Sequence, residues 1–243
     1  MVADSGTVGR ALDVLLALGG DEAASNSGLG VVRIAELLGR EKSQVSRTLK
    51  TLAAHGFVDR DPDTLEYRLG WRLYTLAART GRSRLLALAP AQLRRLVDEL
   101  GETAHLSVLD GDEVLTLISE RSPRLLQAID WSGHRVPAHC TSSGRALLLD
   151  ADPGSLAGGL YRSVVRAREL GYAAVDGEFE AGLVGVAAPV RDFRGRIVAA
   201  LNVSGPKFRL GERLHAAGLE VRSAADDLSS RQGQLDDNGG EHG

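Results

Sequence analysis

Apolar positions recur with a helical period near the start of the chain and again from residue 31 to residue 55, and then alternate as in strands. In TVGRALDVLLALGG, Val8, Ala11, Leu12 and Leu15 fall on one side of a helix, a face suited to closing a small helical core. DEAASNSGLG, from Asp21 to Gly30, is small, polar and glycine-rich, which predicts a flexible loop. VVRIAELLG places Val31, Ile34, Ala35 and Leu38 on one helical stripe and ends on Gly39, a C-cap. KSQVSRTLKTLAAHG gives a second short helix, with Val45, Leu49 and Leu52 inward and Ser43 as its N-cap. FVDRDPDTLEYRLG then reads as two strands around an Asp61-Pro62-Asp63 turn. Two short helices, a tight turn and a hairpin form the pattern of a winged helix-turn-helix, which lays its second helix in a DNA major groove.

The outward face of that second helix carries the matching chemistry. At about 100° per residue, Ser43, Arg47 and Lys50 lie opposite the apolar stripe, with Gln44 and Ser46 beside them near the helix N-terminus. Arg40 and Lys42 add positive charge, opposed by Glu41, and the hairpin contributes Arg60, Tyr67 and Arg68. These ten residues are the candidate DNA contacts. A solvated helix would usually show Glu and Lys where this one shows Ser, Gln and Ser. A winged helix used for protein contact is the alternative.

Composition narrows the picture. A chain of 243 residues fits two domains. The formal net charge of −3 means that DNA affinity must come from a local patch presented more than once, which predicts a homo-oligomer on double-stranded operator DNA. The single cysteine excludes an internal disulfide and fits a reducing compartment. No apolar run reaches the length of a membrane span and no signal peptide is visible, so a soluble cytoplasmic protein without a membrane partner is expected. No cofactor is expected.

After the hairpin, the stretch from Trp71 to about Arg84 reads as a linker helix. Trp71, Tyr74 and Leu76 pack there either on a neighbouring subunit or within the chain. From Thr103, TAHLSVLDGDEVLTLISER alternates about an Asp-Gly-Asp turn as a hairpin, LLQAIDWSGHRVPAHC continues extended, and SSGRALLLD and VVRARELGY are short helices. GLVGVAAPVRDFRGRIVAALNVSG is a second hairpin and LGERLHAAGLEVRSAADDLSSR a final helix. The expected fold is α+β with an antiparallel sheet. The expected divisions are a DNA-binding domain at 1–70, a linker helix at 71–84, a second domain at 85–231 and a disordered tail at 232–243.

The chain resembles the IclR-type transcriptional regulators over nearly its whole length. KSQVSRTLKTLAAHGFVDRD fits their winged helix, GHRVPAHCTSSGRALL (Gly133 to Leu148) their glycine, proline, histidine and small-residue signature, and GYAAVDGEFEAGLVGVAAPV and IVAALNVSGP their later strand blocks. The resemblance implies a GAF-like effector domain, dimers or tetramers, and transcription controlled by a small effector, often an organic or aromatic acid. Carried over by position, the implied effector residues are Cys140, Ser142, Ser143, Asp176, Leu183, Gly185, Asn202 and Ser204. The helix start at Ser142 suits a carboxylate, and Ala128, Ile129 and Trp131 suit an apolar wall. The chain departs from the family at Val175-Asp176-Gly177-Glu178, where relatives often have a longer acidic run, and in a shorter segment from Leu149 to Val164.

Two rival functions stand beside this one. A zinc-responsive regulator would use His134, His139 and Cys140, with Asp176 or His105 as a fourth ligand, although their spacing matches no common zinc motif. An enzyme would need a nucleophile set from His139, Cys140, Ser142 and Asp176, but no G-x-S-x-G elbow, P-loop or dinucleotide fingerprint is present. Cys140 is read either as a redox-sensitive thiol near a helix start or as a small buried residue.

Overall fold

The computed structural model describes residues 6–26, 28–78, 83–124, 131–156 and 158–233. The chain forms two compact units, Met1–Ser83 and Arg84–Gly243. Among the described residues, no helix is long and apolar enough to cross a membrane.

The first unit contains α1 (Thr7–Leu18), α2 (Asp21–Ser25), α3 (Val31–Leu38), α4 (Lys42–Ala54), the hairpin β1 (Val58–Arg60) and β2 (Tyr67–Leu69), and α5 (Trp71–Ala78). Ile34 and Ala35 of α3 and Val45, Leu49 and Leu52 of α4 meet Val14 and Leu18 of α1 in one apolar cluster. Gly39 ends α3 in the left-handed conformation (φ 59°), which glycine adopts without strain.

Three expectations need correction in this unit. The inward stripe of α1 is Ala11, Val14, Leu15 and Leu18, whereas Val8 and Leu12 are 74% and 55% exposed. Apolar residues occupy two adjacent faces of α1, and the i, i+3, i+4, i+7 set is the one that meets α3 and α4. The loop expected from Asp21 to Gly30 contains α2, held to α3 by an ion pair of 2.6 Å between Glu22 and Arg33. Beyond α2, Leu29 and Tyr67 exchange backbone hydrogen bonds, both of 2.9 Å, so this stretch flanks the hairpin. Finally, α4 starts at Lys42 with Glu41 at the cap position and no side-chain cap bond, so Ser43 lies inside the first turn.

The second unit contains α6 (Ser83–Leu100), β3 (Thr103–Asp110), β4 (Glu113–Glu120), β5 (Arg135–Pro137), α7 (Ser142–Leu147), α8 (Gly158–Leu170), β6 (Ala173–Asp176), β7 (Leu183–Arg191), β8 (Ile197–Pro206), α9 (Lys207–Leu210) and α10 (Leu214–Gly233). The strands form one six-stranded sheet in the order β5-β4-β3-β8-β7-β6, antiparallel throughout. This is the expected α+β architecture. Helices α6 and α10 cover one face, where Leu93, Leu96, Val221 and Leu228 pack on Leu106, Val186 and Leu201.

Strand alternation sends the neighbouring positions to the other face, against α7 and α8. On β3 these are His105 and Ser107, on β7 Gly185 and Ala187, and on β8 Ala200, Asn202 and Ser204. The polar members of this set cluster near one end of the central strands, and that cluster places the candidate site. The linker stretch to Arg84 is not one described helix: α5 ends at Ala78 and α6 begins at Ser83. Helix α10 runs through Gly233, past the expected start of the tail at 232, and the rest of that tail lies outside the described residues.

Candidate functional site

The recognition face follows from how α4 is seated. Burial of Val45, Leu49 and Leu52 fixes its rotation, leaving Lys42, Ser43, Gln44, Arg47 and Lys50 exposed and Ser46 half-buried. Arg47 makes one long contact of 3.4 Å with the carbonyl of Ser43 on its own helix. On the hairpin, Arg60 and Arg68 are exposed. Its tip is shaped by Asp61, whose Oδ1 accepts the N–H groups of Thr64 and Asp63, each at 2.9 Å. Those bonds hold the Asp61 carboxyl below its usual range.

Two of the ten candidates are not free to reach DNA. Arg40 Nη2 lies 2.8 Å from Asp13 Oδ2 and its side chain is only 18% exposed, so it ties the turn before α4 to α1. Tyr67 is 4% exposed and sits in the apolar core, because alternation along β2 turns it inward and Arg68 outward. The guanidinium of Arg60 lies over its ring at 5.6 Å. The sequence reading also missed a contribution from α1. Thr7 and Arg10 of α1 line a groove together with Gln44, Arg47 and Thr48 of α4, an adjacency that tertiary packing alone creates.

In the second unit, a cavity of about 70 Å³ opens on the α7 side of the sheet. Of the implied effector residues, Ser142, Ser143, Leu183, Gly185, Asn202 and Ser204 line it. Asn202 is buried, and its Nδ2 donates to Ser142 Oγ at 2.8 Å and to the Val186 carbonyl at 3.1 Å, fastening α7 to the sheet. Gly185 is required by this approach, since a Cβ there would stand 2.9 Å from Ser142 Oγ. Trp131 and Phe179 meet edge to face, 5.6 Å between ring centres, and supply the apolar side with Val136 and Val175.

Cys140 and Asp176 are not part of this lining. Cys140 precedes α7, with its Sγ 3.8 Å from the Pro137 carbonyl. Asp176 points outward from the edge strand β6 and pairs with Lys207 at 2.8 Å, while its neighbour Val175 faces the cavity. The carboxylate dock expected at the start of α7 is also modified, because Thr141 caps the helix and takes the N–H of Gly144 at 3.2 Å. Ala128 and Ile129, expected in the apolar wall, lie outside the described residues.

Four polar lining residues were missed: His105, Ser107, Thr116 and Thr141. His105 is 3% exposed, with Nδ1 2.8 Å from Ser119 Oγ and Nε2 3.2 Å from Ser204 Oγ. Ser107 and Thr116 face each other at 3.3 Å. Among the described residues, no Lys, Arg, Asp or Glu lines the cavity.

Among the described residues, no group of three or more His, Cys, Asp and Glu side chains converges to hold a metal ion. His134 and His139 are exposed, and His134 stacks its edge on Trp131 at 5.8 Å, away from Cys140. His105, the fourth ligand considered, is engaged by the two serines.

Comparison with known proteins agrees with this geometry. The IclR helix-turn-helix domain family matches residues 7–62, and the bacterial transcriptional regulator IclR C-terminal family matches residues 77–158 and 157–230. The HTH-type transcriptional regulator BhcR of Paracoccus denitrificans is 34% identical over 90% of this chain and 85% of its own length. The regulator XynR of Escherichia coli is 32% identical over 81% of this chain and 89% of its own. An IclR homologue from Microbacterium hydrocarbonoxydans, solved in complex with 4-hydroxybenzoate, superposes with a TM-score of 0.71 at 26% identity, covering 93% of this chain and 99% of that one.

Proposed function

The chain belongs to the IclR family of bacterial transcriptional regulators, and we propose that its operator affinity is set by a small organic acid bound in the cavity beside α7. It is a DNA-binding transcriptional regulator and not an enzyme. We place DNA reading in residues 1–70, with Lys42, Ser43, Gln44, Ser46, Arg47 and Lys50 on the groove-facing helix and Arg60 and Arg68 on the wing. Effector binding belongs to residues 85–231, and the protein acts in the cytoplasm, where its operator is.

The observation that carries the effector reading is a built cavity. Hydroxyls from α7 and the sheet, an amide and a histidine converge opposite two aromatic rings. At about 70 Å³ it is smaller than the ~150 Å³ cavity that admits benzene. An aliphatic acid enters it as it stands, and an aromatic acid enters when Trp131 and Phe179 move apart. Thermal-shift screening of organic acids against the full chain tests this, since a ligand selective for the folded state raises the melting temperature. Ser143→Leu fills the cavity and is expected to abolish the shift while unliganded operator binding persists. A Ser143→Leu protein that responds like the parent overturns the reading.

We also propose a homo-oligomer joined in part through the first unit. Val8, Leu12 and Leu16 form an exposed apolar row on α1, and Trp71 and Tyr74 on α5 are 75% and 68% exposed. The two rings touch edge to face at 6.0 Å and have no place in the core. Light scattering is expected to report a dimer or tetramer at micromolar concentration that dissociates when Trp71 and Tyr74 are both replaced by Ala. A monomeric parent refutes it.

A further inference from the structure

We propose that Phe179 sets the size of acid that the cavity accepts, and that Arg145 of α7 holds its ring in place through Glu178. The proposal rests on the cavity being the effector site. Among the described residues that line it, Trp131, Thr141 and Phe179 lie outside strands and helices. Thr141 is the cap of α7, so the two rings are the part of the wall that can give way.

The rings are anchored differently. The turn from Trp131 to His134 is bonded to β4 through its backbone. Gly133 N–H donates to the Thr116 carbonyl at 2.8 Å, and Thr116 N–H to that of His134 at 3.1 Å. Phe179 lies in the turn between β6 and β7, whose ends are fixed in the same way. Gly177 N–H donates to the Leu183 carbonyl at 2.9 Å, and Lys207 N–H to that of Gly182 at 2.7 Å. Both glycines have left-handed backbone, with φ of 73° and 82°. Between these ends, a side chain fastens the turn to α7. Glu178, next to Phe179, takes both terminal nitrogens of the Arg145 guanidinium, with Nη1 2.9 Å from Oε1 and Nη2 against Oε2.

The two partners are unequally buried, the Arg145 side chain at 7% exposure and that of Glu178 at 49%. Arg145 Nε also reaches the His139 carbonyl at 3.4 Å, so the cation belongs to α7 and the carboxylate comes to it. Losing that carboxylate would leave a buried charge uncompensated, which keeps the pair closed. A short aliphatic acid fits beside the ring where it stands. An aromatic acid has to displace the ring, and movement of the Phe179 backbone draws Glu178 away from Arg145. That cost falls on large acids alone, so a pair that touches no ligand discriminates by size.

Calorimetry on the full chain with propionate and 4-hydroxybenzoate tests the proposal, read as the ratio of the two affinities. Phe179→Ala is expected to shift the ratio toward 4-hydroxybenzoate by about tenfold, the upper value for an aromatic pair that no longer has to be parted. Glu178→Ala is expected to shift it the same way by about fivefold, the upper value for an ion pair with one exposed partner. The double variant is expected to match Phe179→Ala, because the tie then has no ring to hold. Phe179→Trp leaves the ion pair untouched and is expected to shift the ratio toward propionate. An additive double variant overturns the positioning role of Arg145 and Glu178. An equal gain for both acids in Glu178→Ala also overturns it, since the freed Arg145 then meets the carboxylate directly. Binding that Ser143→Leu abolishes, with a ratio that neither Phe179 variant changes, overturns the role of Phe179 and leaves the effector site standing. Failure of both acids to bind, or undiminished binding to Ser143→Leu, overturns both.

Discussion

Replacing Arg47 and Lys50 separately by Ala distinguishes base reading from phosphate binding on one helix. Both side chains are exposed on α4, and the Arg47 guanidinium makes a long contact of 3.4 Å with its own helix. Alanine is a better helix former than either, so the fold is expected to be unchanged. If Arg47 reads a base edge, its loss costs about 1–3 kcal/mol, or roughly 5–150-fold, at the operator and little on random DNA. A phosphate contact by Lys50 behaves differently. Each contact contributes about −0.9 to the slope of log affinity against log salt, so between 50 and 200 mM salt one lost contact removes about 3.5-fold of the salt effect. Two heads on one operator each lose that contact, and the change becomes about 12-fold. Fluorescence anisotropy with operator and scrambled duplexes across that salt range reads both quantities. Unaltered operator affinity in both variants, with helix content intact by circular dichroism, would refute the assignment of α4. A Lys50→Ala slope change near the single-head value would refute simultaneous engagement of two heads.

Two further outcomes concern stability. Glu102 is 2% exposed and accepts Arg209 Nε at 2.6 Å and Nη2 at 2.8 Å, with Arg124 3.9 Å away. Arg209→Ala strands that carboxylate and is expected to cost about 3 kcal/mol in chemical unfolding, the low end for a buried pair because the Arg209 side chain keeps 17% exposure. A loss below about 1 kcal/mol would place the pair with ordinary surface contacts. Asp150 lies below its usual range because Arg191 donates to both of its oxygens. A carboxyl depressed on folding adds stability that is present above the unfolded value near pH 4 and is lost as pH falls through the folded one. Asp150→Asn should therefore flatten the acid side of the stability profile below about pH 4, and an identical acid limb in parent and variant would refute this.

The fold was readable wherever one periodicity dominated. Helices α3 and α4 carry a single apolar stripe each, and Gly39 stops α3 where only a left-handed residue fits, so their faces and the turn between them follow from the chain itself. Helix α1 misled because it is apolar on two adjacent sides, one for its own core and one left exposed. Tyr67 misled because a tyrosine on a wing is chemically suited to DNA, whereas alternation along β2 turns it inward, beside Leu29. The cavity was partly readable through the family resemblance, which located Ser142, Gly185, Asn202 and Ser204. It failed at Asp176, where alternation on the edge strand exchanges the roles of neighbours and Val175 faces in. His105 stayed hidden for a different reason. Its partner Ser204 is 99 residues away, and the two meet only because β3 lies beside β8 in the sheet.

The same geometry limits how a ligand can act. An effector shifts an equilibrium only by binding two states differently, so groups that do not move cannot transmit anything, however tightly they hold it. The strands β3, β7 and β8 beneath the cavity also carry the main apolar core on their other face, between α6 and α10. They are the least deformable part of this unit. The differential contacts must then come from the opposite side, from α7 and from the Trp131–Phe179 pair. Helix α7 packs on the sheet through Ala146 and Leu147 and is tied to it by the buried amide of Asn202, which donates to Ser142 Oγ, so that the Ser142 O–H is left to donate to a ligand oxygen. A ligand oxygen at α7 is thus expected to add to the existing tie, with the Ser142 hydroxyl accepting from Asn202 and donating to the ligand.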